Sequence, residues 1–288
     1  MNKSGKLTFV LFVLILLAGC SSLPGKKETK NVELKNKAAD YLKNGTSQYN
    51  AGRYSRALDF FEKAEQLNAS LDYEEGLVAV YNSIGQTKMM EGLFEEAIDY
   101  LNDALEIALR LENEALILST TGNLADYYMK VEDLDEAERI LRDSLPSPDD
   151  ADSDEKAMLA QKFSLLLRKK GLYNESLAFL ESSVSYHEKN KQYKALASDY
   201  YMMASVYSLK REYDRAVFFG EEALRYDKLV EFSQGIAADL QALSIILEKA
   251  GREAESRIYA QRYEKARKAI NAINNTEDEQ IDSITSGE

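Results

Sequence analysis

The chain of 288 residues contains a single histidine, His187, and a single cysteine, Cys20, so imidazole and thiol chemistry have one candidate each. A general base needs a nucleophile or substrate proton within hydrogen-bond reach, and a metal centre needs several His, Cys or carboxylate ligands converging. His187 lies between Tyr186 and Glu188 in a segment of helical pattern and reads as a lone surface histidine with no metal partner. The 49 acidic residues could supply a carboxylate pair for hydrolysis. At helical spacing beside Lys and Arg, however, such residues form solvated faces. No glycine-rich phosphate loop follows a strand. The expectation is a protein without catalytic residues, cofactor or metal.

Cys20 has a different context. Lys3 and Lys6 precede a run from Leu7 to Leu17 that is apolar except for Thr8, followed by Ala18 and Gly19. At ~1.5 Å per residue the run spans roughly 16 Å, about half a hydrocarbon layer of ~30 Å. It has the proportions of a signal peptide. Leu17-Ala18-Gly19-Cys20 resembles a bacterial lipobox. That resemblance implies removal of residues 1–19 and acylation of Cys20, with enough buried CH₂ groups for stable anchoring. Ser21 after the cysteine adds an expectation of the outer membrane, facing the periplasm. Residues 20–36, with Pro24 and Gly25, then form a flexible tether, and the acidic, polar residues 273–288 a disordered tail.

The formal net charge of −13 becomes more negative still without Lys3 and Lys6. Such a surface repels phosphate backbones, which excludes nucleic acid as the natural partner. Three prolines and fourteen glycines in the whole chain leave long uninterrupted helical stretches.

Those stretches repeat. Gly45, Gly85, Ala125, Ser164, Ala204 and Ser244 form one column of small residues; Ala57, Ala97, Ala137, Ser176, Ala216 and Ser256 form a second, twelve residues later. The spacing is 40 residues, once 39. Small residues at matching points on consecutive helices let the backbones approach, while larger apolar neighbours fill the groove. Gly52, Gly92, Gly171 and Gly251 fall between the columns, where a helix can end in the left-handed conformation. Glu132 and Arg211 occupy that point in two other units, whose turns must close without glycine.

Ala51-Gly52-Arg53-Tyr54-Ser55-Arg56-Ala57 with Phe61 and Ala64, and Glu91-Gly92-Leu93-Phe94-Glu95-Glu96-Ala97 with Leu101 and Ala104, resemble the tetratricopeptide repeat in its long, ~40-residue variety. The resemblance implies an all-α, right-handed α-solenoid of about six helix pairs over residues 37–272, closed by a polar C-terminal capping helix. First helices are expected near 37–50, 72–91, 113–131, 153–170, 192–211 and 234–250. An acidic segment with two prolines, 144–154, interrupts the third pair. It is expected to project from the stack as an insertion, a contact loop or a hinge dividing the array three and three.

In this family the first helices line the concave face. Carried over by position, the groove candidates are Tyr49 in the first unit, then Asn82, Gln86, Met89 and Met90 in the second. Asn123, Asp126 and Met129 follow in the third, Gln161 and Arg168 in the fourth, and Tyr201 in the fifth. Thioethers adapt to irregular apolar ligands, and amides can bond an extended backbone. The resemblance therefore implies a lipid-anchored scaffold, adaptor or assembly factor holding a protein or peptide in the groove. An envelope sensor binding a peptide or small solute is the alternative.

Overall fold

The computed structural model describes the backbone of residues 26–286 and the side chains of residues 30–273. The signal segment 1–19, Cys20 and residues 21–25 lie outside it. Among the described residues, the regular elements are twelve α-helices and one short 3-10 turn. The helices pair as α1 (Lys26–Asn50) with α2 (Tyr54–Ser70), α3 (Glu74–Glu91) with α4 (Phe94–Arg110), and α5 (Glu114–Lys130) with α6 (Leu134–Ser144). Then follow α7 (Asp154–Lys169) with α8 (Tyr173–Lys189), α9 (Tyr193–Leu209) with α10 (Tyr213–Leu229), and α11 (Ser233–Lys249) with α12 (Glu253–Ser286). The six expected pairs are present in the expected order.

The 40-residue period is two 20-residue periods. Most helices are 17 residues long, and every connection except that between α6 and α7 contains one residue of positive φ: Gly52, Asp72, Gly92, Glu112, Glu132, Gly171, Lys191, Arg211, Glu231 and Gly251. The residue after each donates its N–H five residues back, as Leu93 does to the Lys88 carbonyl and Arg252 to the Leu247 carbonyl, both at 2.9 Å. These bonds satisfy the last carbonyls of each helix. Four turns use glycine; six place Asp, Glu, Lys or Arg at φ between 50° and 63°. Glu132 and Arg211 thus close their turns in the same left-handed geometry as the glycines, at the cost of Cβ strain.

The two small-residue columns lie where consecutive helices cross. All second-column residues are buried, and a Cβ on Gly45 or Gly85 would stand 2.4 Å from Phe61 or 2.8 Å from Leu101. In the fourth pair the columns hydrogen-bond as well: Ser164 and Ser176 hydroxyls are 2.7 Å apart, and Ser176 Oγ donates to the Ser164 carbonyl at 3.0 Å. Serine is tolerated in this apolar crossing because its hydroxyl is paired.

Three segments differ from expectation. α1 starts at Lys26, inside the stretch read as a flexible tether: after Gly25 no Pro or Gly occurs before Gly45, and Lys, Glu and Leu favour helix. α12 runs on to Ser286 through the acidic tail, which contains neither Pro nor Gly before Gly287. Its Tyr259, Tyr263 and Ala266 cover the last apolar face, the capping role expected for it. The proline segment does not project. Ser147 caps the 3-10 turn Pro148–Asp150, Ser153 caps α7, and Ser182 Oγ of α8 donates to the Pro148 carbonyl at 2.5 Å. Leu145 and Ala151 are buried with Leu141, Phe163 and Phe179. This segment replaces the missing end of the short helix α6 and fills the same core volume, so apolar burial holds it down. α5 packs directly on α7 across it, and the stack is continuous rather than divided.

Candidate functional site: the inner face

The first helix of each pair forms the inner layer, and charge is partitioned between the layers. The six inner helices carry 13 acids and 14 bases, the six outer ones 26 acids and 14 bases. The acidity of the chain is therefore a property of its outer layer.

Most polar groove candidates are spent on holding inner helices together. Asn82 Nδ2 on α3 donates to Thr120 Oγ1 on α5 at 2.8 Å, and Gln86 Nε2 donates to Asn123 Oδ1 at 2.6 Å. Asp126 on α5 forms an ion pair with Lys162 on α7. Gln161 on α7 donates to Asp199 Oδ1 on α9 at 2.6 Å, and Arg168 to Ser205 Oγ. Lys169 reaches back to the Met129 carbonyl at 3.4 Å. The result is a polar ladder from α3 to α9, each rung spanning 36 to 40 residues. Asn82, Asn123, Met89 and Met129 are buried within it, so they are joints of the superhelix rather than open ligand contacts. Position within the repeat identified the inner layer. It could not separate a side chain facing the groove from one facing the next inner helix, because both directions lie within a quarter-turn on the same helix.

Tyr49, Met90 and Tyr201 remain accessible. Tyr49 is half-buried against Tyr54, with ring centroids 5.7 Å apart. Burial raises its pKa, and the charges of Tyr54 and Asp126 add to that shift.

The open part of the inner face lies further along the array. Between α9 and α11 a cleft of about 300 Å³ is lined by Tyr201, Ser205, Ser208 and Leu209 on one side and Gln241 and Ile245 on the other. Tyr201, Leu209 and Ile245 are 40%, 46% and 44% exposed. Lys249 stands at the edge, and the lining contains no acid. A second cleft of about 640 Å³ lies where the ends of the array approach each other, with Leu42, Lys43 and Thr46 of α1 facing Gln234 of α11 and Ile270 of α12. It too has a lysine and no acid. Tyr201 was a sequence candidate; Leu209, Ile245 and Lys249 follow from the same positional rule applied to the last two units.

His187 is not a surface residue. It is buried on the last turn of α8, its Nδ1 2.7 Å from Asp199 Oδ2. Ser183 Oγ donates to Asp199 Oδ1 at 2.8 Å and lies 3.3 Å from the same Nδ1. Serine, histidine and aspartate thus meet, but serine and carboxylate share one ring nitrogen and all three are enclosed between helices. A hydrolytic triad needs serine and carboxylate on opposite nitrogens, with serine open to substrate. This cluster is a satisfied polar core. The sequence held the signal: His187 is eleven residues after Ser176, three helical turns on, hence on the same buried face. Among the described residues, no group of three or more His, Cys, Asp or Glu is placed to hold a metal ion, and no helix is long and apolar enough to cross a membrane.

A stack of helix pairs with this period, joined by left-handed turns around columns of small residues, defines a tetratricopeptide-type α-solenoid. Residues 76–147 match the tetratricopeptide repeat family, and the same helix-pair fold continues on either side of them. No curated protein matches the sequence. The fold is shared with BtubC (BKLC) from P. vanneervenii, at 17% identity over 83% of this chain and 92% of that one, TM-score 0.61. Apo RapI matches at 15% identity over 82% and 85%, TM-score 0.61. The Rap conjugation gene regulator of plasmid pLS20, solved in complex with the Phr* peptide, matches at 17% identity over 89% and 67%, TM-score 0.63.

Proposed function

We propose that the protein is a non-catalytic scaffold, anchored to the bacterial cell envelope through acylated Cys20, that holds a protein partner by an apolar segment in the α9–α11 cleft. The observation that carries the reading is the uncovered apolar wall of Tyr201, Leu209 and Ile245 on an inner face whose other large side chains are mostly packed away. A cleft of this size accommodates one or two apolar side chains, and the Ser205, Ser208 and Gln241 groups can bond their backbone. Lys249, without an acid in the lining, favours a partner carrying a carboxylate nearby. The lipobox resemblance supports the anchor, and its facing the periplasm from the outer membrane belongs to the same proposal.

The test is site-specific photocrosslinking in the envelope of the native host, with the crosslinker at Ser208 on the inner face or at Asp99 on the outer face. The expected outcome is one partner captured from Ser208 and lost when Leu209→Glu and Ile245→Glu are added, with helicity unchanged. Equal capture from Asp99, or capture indifferent to the two glutamates, would overturn the assignment.

A second reading, an envelope sensor for a small peptide, is favoured by the cleft in which α1 meets α11 and α12. A ligand touching Lys43 and Gln234 together would bridge the two ends of the array. The pLS20 regulator, solved with a bound peptide, has the same fold. Titration calorimetry with short peptides separates the readings, because only the sensor should give heat with them.

A further inference from the structure

The joint between α10 and α11 is closed by two carboxyl groups. Asp227 lies in the last turns of α10 and Asp239 in the second turn of α11, and both are buried. The two carboxyl groups stand close enough to act on each other's protonation, and a hydrogen bond between them requires a shared proton, since two carboxylates can only accept. Gly235 makes the room: a Cβ there would stand 1.8 Å from Asp227 Oδ2. Asp239 Oδ2 has no hydrogen-bond partner among the described residues.

Few charges surround the pair. Lys194 of α9 acts on Asp227, but its amine sits over the Phe232 ring, 4.0 Å from the centroid. Among the described residues, neither α8 nor α12 places a charge that acts on either carboxyl. Burial raises the pKa of both groups. At Asp239 the Asp227 charge adds to burial, and the pKa is pushed up to about 8.

The repeat supplies its own comparison. Asp227 and Asp239 stand at the positions of His187 and Asp199 one unit earlier. There the carboxylate has His187 beside it and receives donors from Gln161 and Ser183. One joint later the imidazole has been replaced by a second acid, and a proton takes the place of the donors.

We propose that the α10–α11 joint is a proton-controlled latch: the proton shared by Asp227 and Asp239 docks α11 and α12 onto the stack. Its loss loosens both helices and with them the α11 wall of the inner cleft. The proton leaves to solvent, and two like charges are then held together away from water until the helices part. In the docked state Asp239 keeps its proton up to about pH 8; hydrated, it releases it near the ordinary carboxyl value of about 4. The docked state therefore binds more protons between these limits. Docking is strongest below about pH 4, weakens as pH rises towards about 8, and changes little beyond.

Hydrogen exchange of the full chain between pH 5 and 9, corrected for intrinsic amide chemistry, tests this. The opening constant for amides of residues 233–272 should rise with pH, by up to about tenfold per pH unit up to about pH 8. Amides of α3 and α5 should not follow. Asp239→Asn keeps a donor for Asp227 without titrating, and should flatten the rise. A pH-independent opening constant in the unmodified chain, or the same rise in Asp239→Asn, would overturn the proposal. Infrared titration of the unmodified chain is independent of how the variant folds. A protonated carboxyl persisting above about pH 6 supports the shared proton, and its absence rejects it.

Discussion

Gln161 and Asp199 are 38 residues apart in sequence, yet Gln161 Nε2 lies 2.6 Å from Asp199 Oδ1 and is one of three side chains converging on that fully buried carboxyl group. The other two, Ser183 and His187, come from α8, so Asp199 ties three helices of three different hairpin arms together. Removing it leaves buried donors unpaired on two neighbouring helices. Asp199→Ala should lower stability by about 1–3 kcal/mol or more, the range for each buried donor left without its acceptor. Urea denaturation would show it as a lower midpoint at unchanged slope. A loss below about 1 kcal/mol would mean that water or a rearranged neighbour satisfies the orphaned groups.

The left-handed turns allow a gain in stability. Arg211 sits at φ 63°, where a Cβ is strained, while Gly92 and Gly171 occupy the same turn position without strain. Arg211→Gly should stabilise the fold by about 0.5–1 kcal/mol, the strain relieved exceeding the added freedom of the unfolded chain. Gly92→Ala should destabilise by a similar amount. Thermal melting of the two variants against the parent checks both signs.

The crossing points should resist enlargement. A Cβ on Gly85 would lie 2.8 Å from Leu101 Cγ and 3.2 Å from the Ala97 carbonyl oxygen, which is backbone and cannot rotate away. Gly85→Val should cost about 1–3 kcal/mol from overpacking. Leu101→Ala added to it should recover part of that loss by opening space. Additive losses in the double variant would show that the crossing is not the point of strain.

Anchoring should depend on one atom of the chain. Metabolic labelling with palmitate should mark the unmodified protein and leave Cys20→Ser unmarked, with the latter retained at its precursor mass. Because residues 26–286 build the array, circular dichroism of the chain lacking residues 1–25 should match that of the anchored protein released in detergent. Labelling of Cys20→Ser would remove the lipobox reading and leave the solenoid untouched.

Much of the architecture was legible before any coordinates. The two columns from Gly45 to Ser244 and from Ala57 to Ser256 specify where helices cross, because a crossing tolerates only small side chains. Gly52, Gly92, Gly171 and Gly251 mark four of the turns. The breaks near Asp72, Glu112, Lys191 and Glu231 were expected, but their left-handed conformation was not, since an acid or lysine forced to positive φ leaves no compositional trace. The 20-residue period within the 40-residue repeat was missed for that reason. The proline segment was misread from composition: four acids and two prolines suggest a projecting loop, but Leu145 and Ala151 decide its position by being buried.

Local pattern by itself determined the helices and their pairing, because these follow from periodicity, breakers and residue size along the chain; which helix of each pair faces inward came from the resemblance to the repeat family. Only the tertiary structure decided which inner residues meet each other and which are left for a partner. Asn82, Gln86, Asn123 and Gln161 carry the chemistry of ligand contacts, yet they are occupied by Thr120, each other and Asp199. Leu209 and Ile245 carry no distinctive chemistry, yet they line the open cleft. The physical reason is that pairing across a superhelix depends on the angle and distance between successive hairpins, which are set by packing summed over many residues. The same holds for Asp227 and Asp239, two ordinary acids in the sequence that become one shared-proton site only when α10 and α11 close upon Gly235.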